Sequence, residues 1–343
     1  EVKPHNGAPA VFINGKPVFP NGFVAVCGGD PKLVKEMAGA GVHIYMDGMG
    51  IGNDTEGTYD YSGIDGYLEK VIASDPQAYF VPRINTAAPG WSTWGRRHPE
   101  ECVKFADGHT GPVSYASKLQ EVEASRDLAL FIKHIRSSKY ADRVLGFLVC
   151  AAQAESAEWF APEIWGGQMG DFSEPCLSAF RNWLRAKYLT DSTLRKAWKD
   201  SNVTLETAAL PTAHERRAST TLKFRDPAKE GLKVTDWYLY YSDLLAESIN
   251  HYAHVVKEAS GGEMLAGFFY GYLNTFGPFQ QESQNNAITK VINCPDIDFF
   301  ASPAQYPGRA PGGTSSFMTM AESIQLHGKI HFDESDIRTH MTT

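Results

Sequence analysis

The sequence has fewer basic than acidic residues, no run long enough to span a membrane and no paired cysteine motif. Its 32 Lys and Arg stand against 40 Asp and Glu, a formal net charge of -8, which argues against a nucleic-acid binder. No apolar run reaches the ~18 residues of a membrane span. The five cysteines form no Cys-x-x-Cys pair, which argues against a zinc site or a redox motif. Their odd number argues against a disulfide scaffold.

Motifs for bound nucleotides and for serine catalysis are also missing. No G-x-G-x-x-G follows the first strand-like segment, and no P-loop is present, so we predict no nucleotide cofactor. No G-x-S-x-G elbow supports a Ser/His/Asp hydrolase. His327, His331 and His340 are close in sequence, but their spacing gives no clear ligand set, so we predict no metal.

Apolar and aromatic residues, in contrast, are plentiful. Apolar residues make up 43% of 343 residues, which predicts a folded chain with a full core rather than disorder. The 7 Trp, 15 Tyr and 19 Phe fit either core packing or stacking against sugar rings in a cleft.

Strand-like and helix-like segments alternate along the chain. Residues 1–20 predict a β-hairpin with its turn at Asn14-Gly15. Residues 21–343 predict an α/β fold, a (β/α)8 TIM barrel, with a helical and loop excursion at about 160–233. Strand eight is not identified, so either the natural chain continues past Thr343 or a strand has been overlooked. The predicted strands are 23–27, 42–46, 79–84, 144–151, 265–272, 297–301 and 330–332. The longest predicted helical regions are 115–138, 173 to about 200, and 235–258.

Polar and aromatic residues collect where these strands end. In a (β/α)8 barrel, chemistry lies at the C-terminal ends of the strands. Two carboxylates are needed to cleave a glycosidic bond, one as acid and one as nucleophile or base, while amides, Arg and aromatic rings hold the sugar. The candidates are Asp47, Arg83, Asn85, Trp91, Trp94, Gln153, Glu155, Glu158, Trp159, Tyr270, Tyr306, Glu334 and Arg338.

Three segments resemble known glycosidases. Residues 176–188, with Leu194 and Ala197-Trp198 after them, resemble a stretch of the glycoside hydrolase family 42 β-galactosidases. Residues 13–17 resemble the N-terminal hairpin of many clan A glycosidases, and residues 302–306 with Arg309, followed by residues 327–340, resemble the region around strand seven in that clan. The resemblance implies a (β/α)8 barrel in which Glu334 is the nucleophile.

The acid/base residue is assigned less directly, because the clan's Asn-Glu pair is absent. The sequence here reads Ala-Glu-Ser-Ala-Glu-Trp, which offers both Glu155 and Glu158. We favour Glu158, since Trp159 beside it could form an apolar wall that raises its pKa for acid duty. Gln153 could replace the missing amide.

The function expected from these features is that of a retaining β-glycosidase acting on terminal β-linked sugars, with β-galactosides favoured by the resemblance. A β-mannosidase, an endo-acting polysaccharide hydrolase and a non-catalytic carbohydrate-binding barrel stay open as alternatives. The expected partner is a carbohydrate substrate, with no nucleic acid and no membrane, and a homo-oligomer is possible. The start at Glu1 without Met favours a secreted or periplasmic protein, while a cytoplasmic one stays open.

Overall fold

Strands and helices alternate along the chain in a computed structural model, which describes residues 1–24, 29–51, 53–55, 57–86, 91–151, 158–163, 167–218, 225–272, 283–305, 309–310 and 312–335. The strands are β1 (Val2–His5), β2 (Ala8–Ile13), β3 (Lys16–Val18), β4 (Gly22–Phe23), β5 (Ile44–Tyr45), β6 (Gly48–Met49), β7 (Asn53–Thr55), β8 (Thr58–Tyr59), β9 (Tyr79–Phe80), β10 (Arg83–Asn85), β11 (Cys102–Lys104), β12 (Thr110–Val113), β13 (Gly146–Cys150), β14 (Leu265–Phe269), β15 (Phe299–Pro303) and β16 (Ile330–Glu334). The helices are α1 (Pro31–Gly39), α2 (Ser62–Ser74), α3 (Trp91–Arg97), α4 (Lys118–Ser137), α5 (Glu174–Tyr188), α6 (Asp191–Trp198), α7 (Ala213–Arg217), α8 (Pro227–Glu230), α9 (Lys233–Ser260), α10 (Ile288–Ile292) and α11 (Ala321–Leu326).

The principal sheet is parallel and follows the order of the chain. β4, β5 and β9 pair in one group, and β6, β10, β13, β14, β15 and β16 pair in another. The groups join because β5 continues into β6 and β9 into β10, where Arg83 N donates to Asp47 O at 3.0 Å. This gives seven successive parallel runs, which confirms the predicted α/β class. Closure into an eight-stranded barrel stays a prediction, since in the described ranges no strand joins β16 to β4.

The first three strands form a separate antiparallel sheet. β2 pairs with β3 through Asn14 and Gly15, whose φ angles of 50° and 75° suit a two-residue hairpin turn. β1 pairs with the other edge of β2, so this sheet has one strand more than the sequence predicts. Val11 is buried among the interior side chains of the barrel, and β2 contacts β16 and α11.

Helix starts are set by local capping residues. Asp30 accepts a hydrogen bond from Lys32 N ahead of α1, and Ser117 accepts one from Gln120 N ahead of α4. Ser173 does the same for α5 through Cys176 N. Each cap satisfies a backbone N–H that the first helical turn leaves without a partner.

Alternation along each strand divides the core in two. Leu148, Phe299 and Ile330 point into the barrel interior. Phe147 and Phe268 point outward, where the helices cover them. Because side chains alternate between faces, only every second residue of a strand can reach the interior and its opening.

The excursion between strands four and five contains α5, α6, α7 and α8 and is anchored to α9 through one carboxylate. Asp236 of α9 is fully buried and accepts hydrogen bonds from Lys187 Nζ at 2.7 Å, Tyr188 OH at 2.7 Å and Trp198 Nε1 at 2.6 Å. These contacts hold α5 and α6 against the barrel wall. No helix in the described residues combines the length and apolar character needed to cross a membrane.

Candidate active site

Arg83 and Glu334 face each other at the C-terminal ends of their strands. Arg83 Nη1 lies 4.0 Å from Glu334 Oε1, and the two side chains are 24% and 28% exposed. The guanidinium carbon of Arg83 also lies 5.4 Å from the ring centroid of Phe269, which ends β14. Arg83 is therefore held between an aromatic face and a carboxylate that solvent can reach.

Glu158 reaches the same region by extending the sheet at β14. Glu158 pairs with Phe269 in a parallel bridge, and Trp159 N donates to Phe269 O at 3.2 Å. The Glu158 side chain is partly exposed, yet its Oε2 is buried and lacks a hydrogen-bond partner among the described residues. A buried carboxylate oxygen left without a partner is costly, so such an atom suggests a site that a ligand completes.

Cys150 is buried at the end of β13, and the charges of Arg83, Glu158 and Glu334 all affect the pKa of its thiol. Burial raises the pKa of its thiol to about 12, the Arg83 guanidinium opposes that rise, and Glu158 and Glu334 add to it. Both carboxylates and the guanidinium are therefore close to one interior position at the end of β13. The thiol stays protonated at neutral pH and is a poor nucleophile.

This arrangement provides two carboxylates and a guanidinium at the end of the barrel where catalytic residues of this fold lie. A pair of carboxylates near one opening can supply both the acid and the nucleophile or base of glycoside cleavage. Within the described residues, no group of three or more His, Cys, Asp or Glu is arranged to hold a metal ion.

The structure places Trp94, predicted to stack on a sugar, and Trp159, predicted to form an apolar wall beside Glu158, inside packed regions. Trp94 is 1% exposed, and its Nε1 donates to Glu123 at 2.6 Å. Trp159 is equally buried, its Nε1 donates to Val149 O at 3.0 Å, and its ring packs against Tyr115. Neither ring offers a face to a sugar. Because the Trp159 ring packs among core side chains, the predicted apolar wall beside Glu158 is corrected to a core contact.

Asp47 and Tyr270 are likewise turned away from the opening. Asp47 follows Met46, an interior residue, and accepts a hydrogen bond from Tyr67 OH of α2 on the helix side. Tyr270 is fully buried on the helix side, and burial raises the pKa of its hydroxyl. Asn85 instead shares a strand face with Arg83, two residues further toward the opening, and is half-buried.

Several predicted residues cannot be placed. Trp91 begins α3, but its side chain lies outside the described part of the chain. The others that lie outside the described residues are Gln153, Glu155, Tyr306 and Arg338.

Phe269 and Cys150 are the site residues that the sequence analysis missed. Both could have been found by counting alternate positions. Phe269 is on the same face as the interior residue Leu265, and Cys150 is on the same face as Leu148. Tyr270, one position later, must then point the other way.

The family model for glycoside hydrolase family 42, described as β-galactosidase, matches residues 51–288. No curated protein matches the chain significantly.

The solved structures similar to this chain include two β-galactosidases and a β-amylase. A β-galactosidase from the psychrophilic Marinomonas ef1 is 16% identical with a TM-score of 0.58, over 82% of this chain and 39% of that one. A β-galactosidase from Bacillus circulans sp. alkalophilus is 14% identical with a TM-score of 0.56, over 82% and 38%. The catalytic domain of a β-amylase from Paenibacillus polymyxa is 16% identical with a TM-score of 0.69, over 93% and 85%.

At these identities, the likeness to solved structures is one of fold, and the chain spans about two fifths of the length of these two β-galactosidases. The family match is independent of them and extends over more than half of the chain, from the segment after β6 to the first residue of α10. The chain therefore belongs to glycoside hydrolase family 42, the β-galactosidase family.

Proposed function

We propose that this chain carries the catalytic site of a retaining β-glycosidase that removes terminal β-linked sugars, with β-galactosides as the preferred class. The observation that carries the proposal is that Arg83 Nη1 lies 4.0 Å from Glu334 Oε1 while its guanidinium lies over the ring of Phe269, the residue with which Glu158 pairs. The family membership supports the substrate class.

In the proposed mechanism, Glu334 attacks the anomeric carbon while Glu158 protonates the departing glycosidic oxygen. The bond from the anomeric carbon to the aglycone breaks as the bond to Glu334 forms. Glu158, now ionised, then removes a proton from water, and that water releases the sugar from Glu334 with net retention. The Oε2 atom of Glu158, which has no partner among the described residues, suits a group that must form a hydrogen bond to substrate.

Arg83 and Asn85 are assigned supporting roles. Arg83 faces Glu334 and fixes its orientation, because the guanidinium is itself held over the Phe269 ring. Asn85 lies on the same face and is proposed to hold a sugar hydroxyl.

The test is turnover of a panel of nitrophenyl glycosides, with β-galactoside, β-glucoside, β-mannoside and α-glucoside members. The unmodified protein is expected to cleave the β-galactoside fastest and to release the β-anomer first. Glu158→Gln should lower kcat by about 10²–10⁴-fold on a substrate whose leaving group needs a proton. Glu334→Gln should abolish turnover, because no covalent intermediate can form.

The matched control is Glu206→Gln, which changes an exposed glutamate paired with Arg185 in the excursion. It should keep the parent activity. Sugar binding without turnover in the unmodified protein would instead indicate a non-catalytic carbohydrate-binding barrel and refute the proposal.

A second candidate is a hydrolase of amylase-type substrates. It is favoured by one observation, since the β-amylase likeness extends over 85% of that chain and the β-galactosidase likenesses over about 39% of theirs. Product stereochemistry contributes to the distinction, because carboxyl groups about 5–5.5 Å apart give retention and groups about 6.5–9.5 Å apart give inversion. Cleavage of soluble starch with inversion, and none of β-galactosides, would favour this candidate.

A further inference from the structure

Asn285 is a fully buried amide whose hydrogen-bonding capacity is completely used. Its Oδ1 accepts from Gly271 N at 2.8 Å and from Tyr272 N at 3.3 Å. Its Nδ2 donates to Trp159 O at 2.8 Å and to Ser283 O at 3.0 Å. Two acceptor sites and two N–H groups are all that a carboxamide has. An amide with this many backbone partners acts as a cross-link between segments.

The cross-link joins the segment that carries Glu158 to the continuation of β14. Trp159 O belongs to the residue directly after Glu158, and Gly271 N and Tyr272 N follow Phe269. Trp159 N also donates a hydrogen bond to Phe269 O, the carbonyl of the last residue of β14. The residue after Glu158 is therefore held at both its N–H and its carbonyl, which leaves Glu158 a defined backbone position.

Only an amide can make this set of contacts. The oxygen faces two N–H groups and the nitrogen faces two carbonyl oxygens, so the orientation of the side chain is fixed. An aspartate of the same shape would put a carboxylate oxygen against the carbonyls of Trp159 and Ser283 and would repel them. An alanine would leave buried N–H and C=O groups without partners.

We propose that Asn285 is the positioning residue for the acid/base Glu158, and this inference rests on the proposed function. Proton transfer requires the acid to lie within hydrogen-bond reach of the departing oxygen. A displacement of about 1 Å in a catalytic group can cost roughly 10²-fold in rate. Asn285 touches no substrate in this scheme, and it acts through the backbone beside Glu158.

The experiment compares aryl β-galactosides that differ in how much protonation the leaving group needs. Dinitrophenolate departs with little help from an acid, whereas unsubstituted phenolate needs a proton. The readout is the ratio of kcat/KM for the dinitrophenyl substrate to kcat/KM for the phenyl substrate. Because both values are measured on one preparation, a fraction of unfolded protein cancels from the ratio.

Asn285→Asp and Asn285→Ser should each raise this ratio by roughly 10-fold to 100-fold, in the same direction as Glu158→Gln, through loss of acid assistance alone. Asp236→Asn is the matched control, an isosteric exchange of a buried side chain that holds the excursion. It should lower stability and leave the ratio at the parent value.

The outcomes separate the two proposals. If the unmodified protein cleaves aryl galactosides and Glu158→Gln raises the ratio, but both Asn285 variants keep the ratio within about twofold of the parent, the role of Asn285 is refuted and the proposed function stands. If the unmodified protein cleaves none of them, or if Glu158→Gln leaves the ratio unchanged, the assignment of Glu158 fails first.

Discussion

The buried carboxylate of Asp236 in α9 should contribute strongly to stability, because it anchors the excursion. It accepts hydrogen bonds from an ammonium, a phenol and an indole, which lie on α5 and α6 while Asp236 lies on α9. Asp236→Ala removes all three bonds and leaves the Trp198 indole N–H buried without a partner. Breaking a buried charged network from one side costs about 3–5 kcal/mol.

Lys187→Met provides the comparison that tests this reasoning. The Lys187 side chain is 32% exposed, so water can replace much of what its ammonium gains from Asp236. Its loss should cost less than the loss of Asp236, because Tyr188 and Trp198 still donate to the carboxylate and water can partly replace the ammonium. The expected order is therefore a large loss for Asp236→Ala and a smaller loss for Lys187→Met.

Unfolding in urea followed by tryptophan fluorescence measures both variants, since Trp198 contacts Asp236 directly. In thermal unfolding of a chain of 343 residues, a loss of about 3–5 kcal/mol in the free energy of unfolding corresponds to a fall in Tm of about 4–7 °C. Equal losses for the two variants would show that exposed charge pairing, rather than the buried hydrogen bonds, dominates. A loss under about 1 kcal/mol for Asp236→Ala would refute the reasoning outright.

Two further predictions concern pH and backbone packing. Burial lowers the pKa of His331 to about 4 from its ordinary value of 6.5, so its stabilising contribution is complete above pH 6.5 and is lost as the pH falls toward 4. In His331→Gln, the free energy of unfolding should fall by about 3 kcal/mol less than in the parent as the pH is lowered over this range, as measured by urea unfolding at several pH values. Parallel pH curves for parent and variant would contradict this prediction. A Cβ at Gly146 would lie 2.1 Å from Leu265 O, whereas one at Gly66 in α2 meets open space. Gly146→Ala should therefore destabilise by about 3 kcal/mol and Gly66→Ala stabilise by about 0.5–1 kcal/mol, and thermal unfolding that ranks them the other way would refute the packing argument.

The side chains of the site are positioned in two different ways. Arg83 and Glu334 are carried by strands of the parallel sheet, and their direction follows from strand alternation. Glu158 lies beyond the end of β13 and pairs with the neighbouring strand, β14, through Phe269. Its position therefore depends on contacts such as those of Asn285, and this difference is why the two glutamates should respond differently to distant substitutions.

The alternation of apolar segments was sufficient to predict the parallel sheet and most of its helices. The long helix predicted at 115–138 is observed as Lys118–Ser137, and the one at 235–258 as Lys233–Ser260. These elements are strongly periodic and are capped locally, so their signal is contained within the segment. The predicted single helical region from 173 to about 200 is two helices, because Leu189 adopts a positive φ of 63° between them.

The site residues were predicted less well than the helices and strands. A position at a strand end does not determine which face of the sheet the side chain is on. Asp47 and Tyr270 are at strand ends, as predicted, but their side chains point to the helices. Trp94 was predicted to stack on a sugar and Trp159 to form an apolar wall beside Glu158, and the packed surroundings of both rings overrule these predictions. Aromatic residues bury large areas in either setting, so composition cannot separate the two.

The sequence by itself indicated the order of the strands, the starts of the principal helices, the resemblance that points to Glu334, and the two acid/base candidates Glu155 and Glu158. These depend on patterns within one segment, or on motifs read in order along the chain. Only the tertiary structure decided that Arg83, Cys150 and Phe269 surround Glu334 and Glu158, and that Asn285 links the two segments behind them. The physical reason is that side-chain direction and contacts between distant segments depend on register and packing across the whole sheet, which no single stretch of sequence encodes.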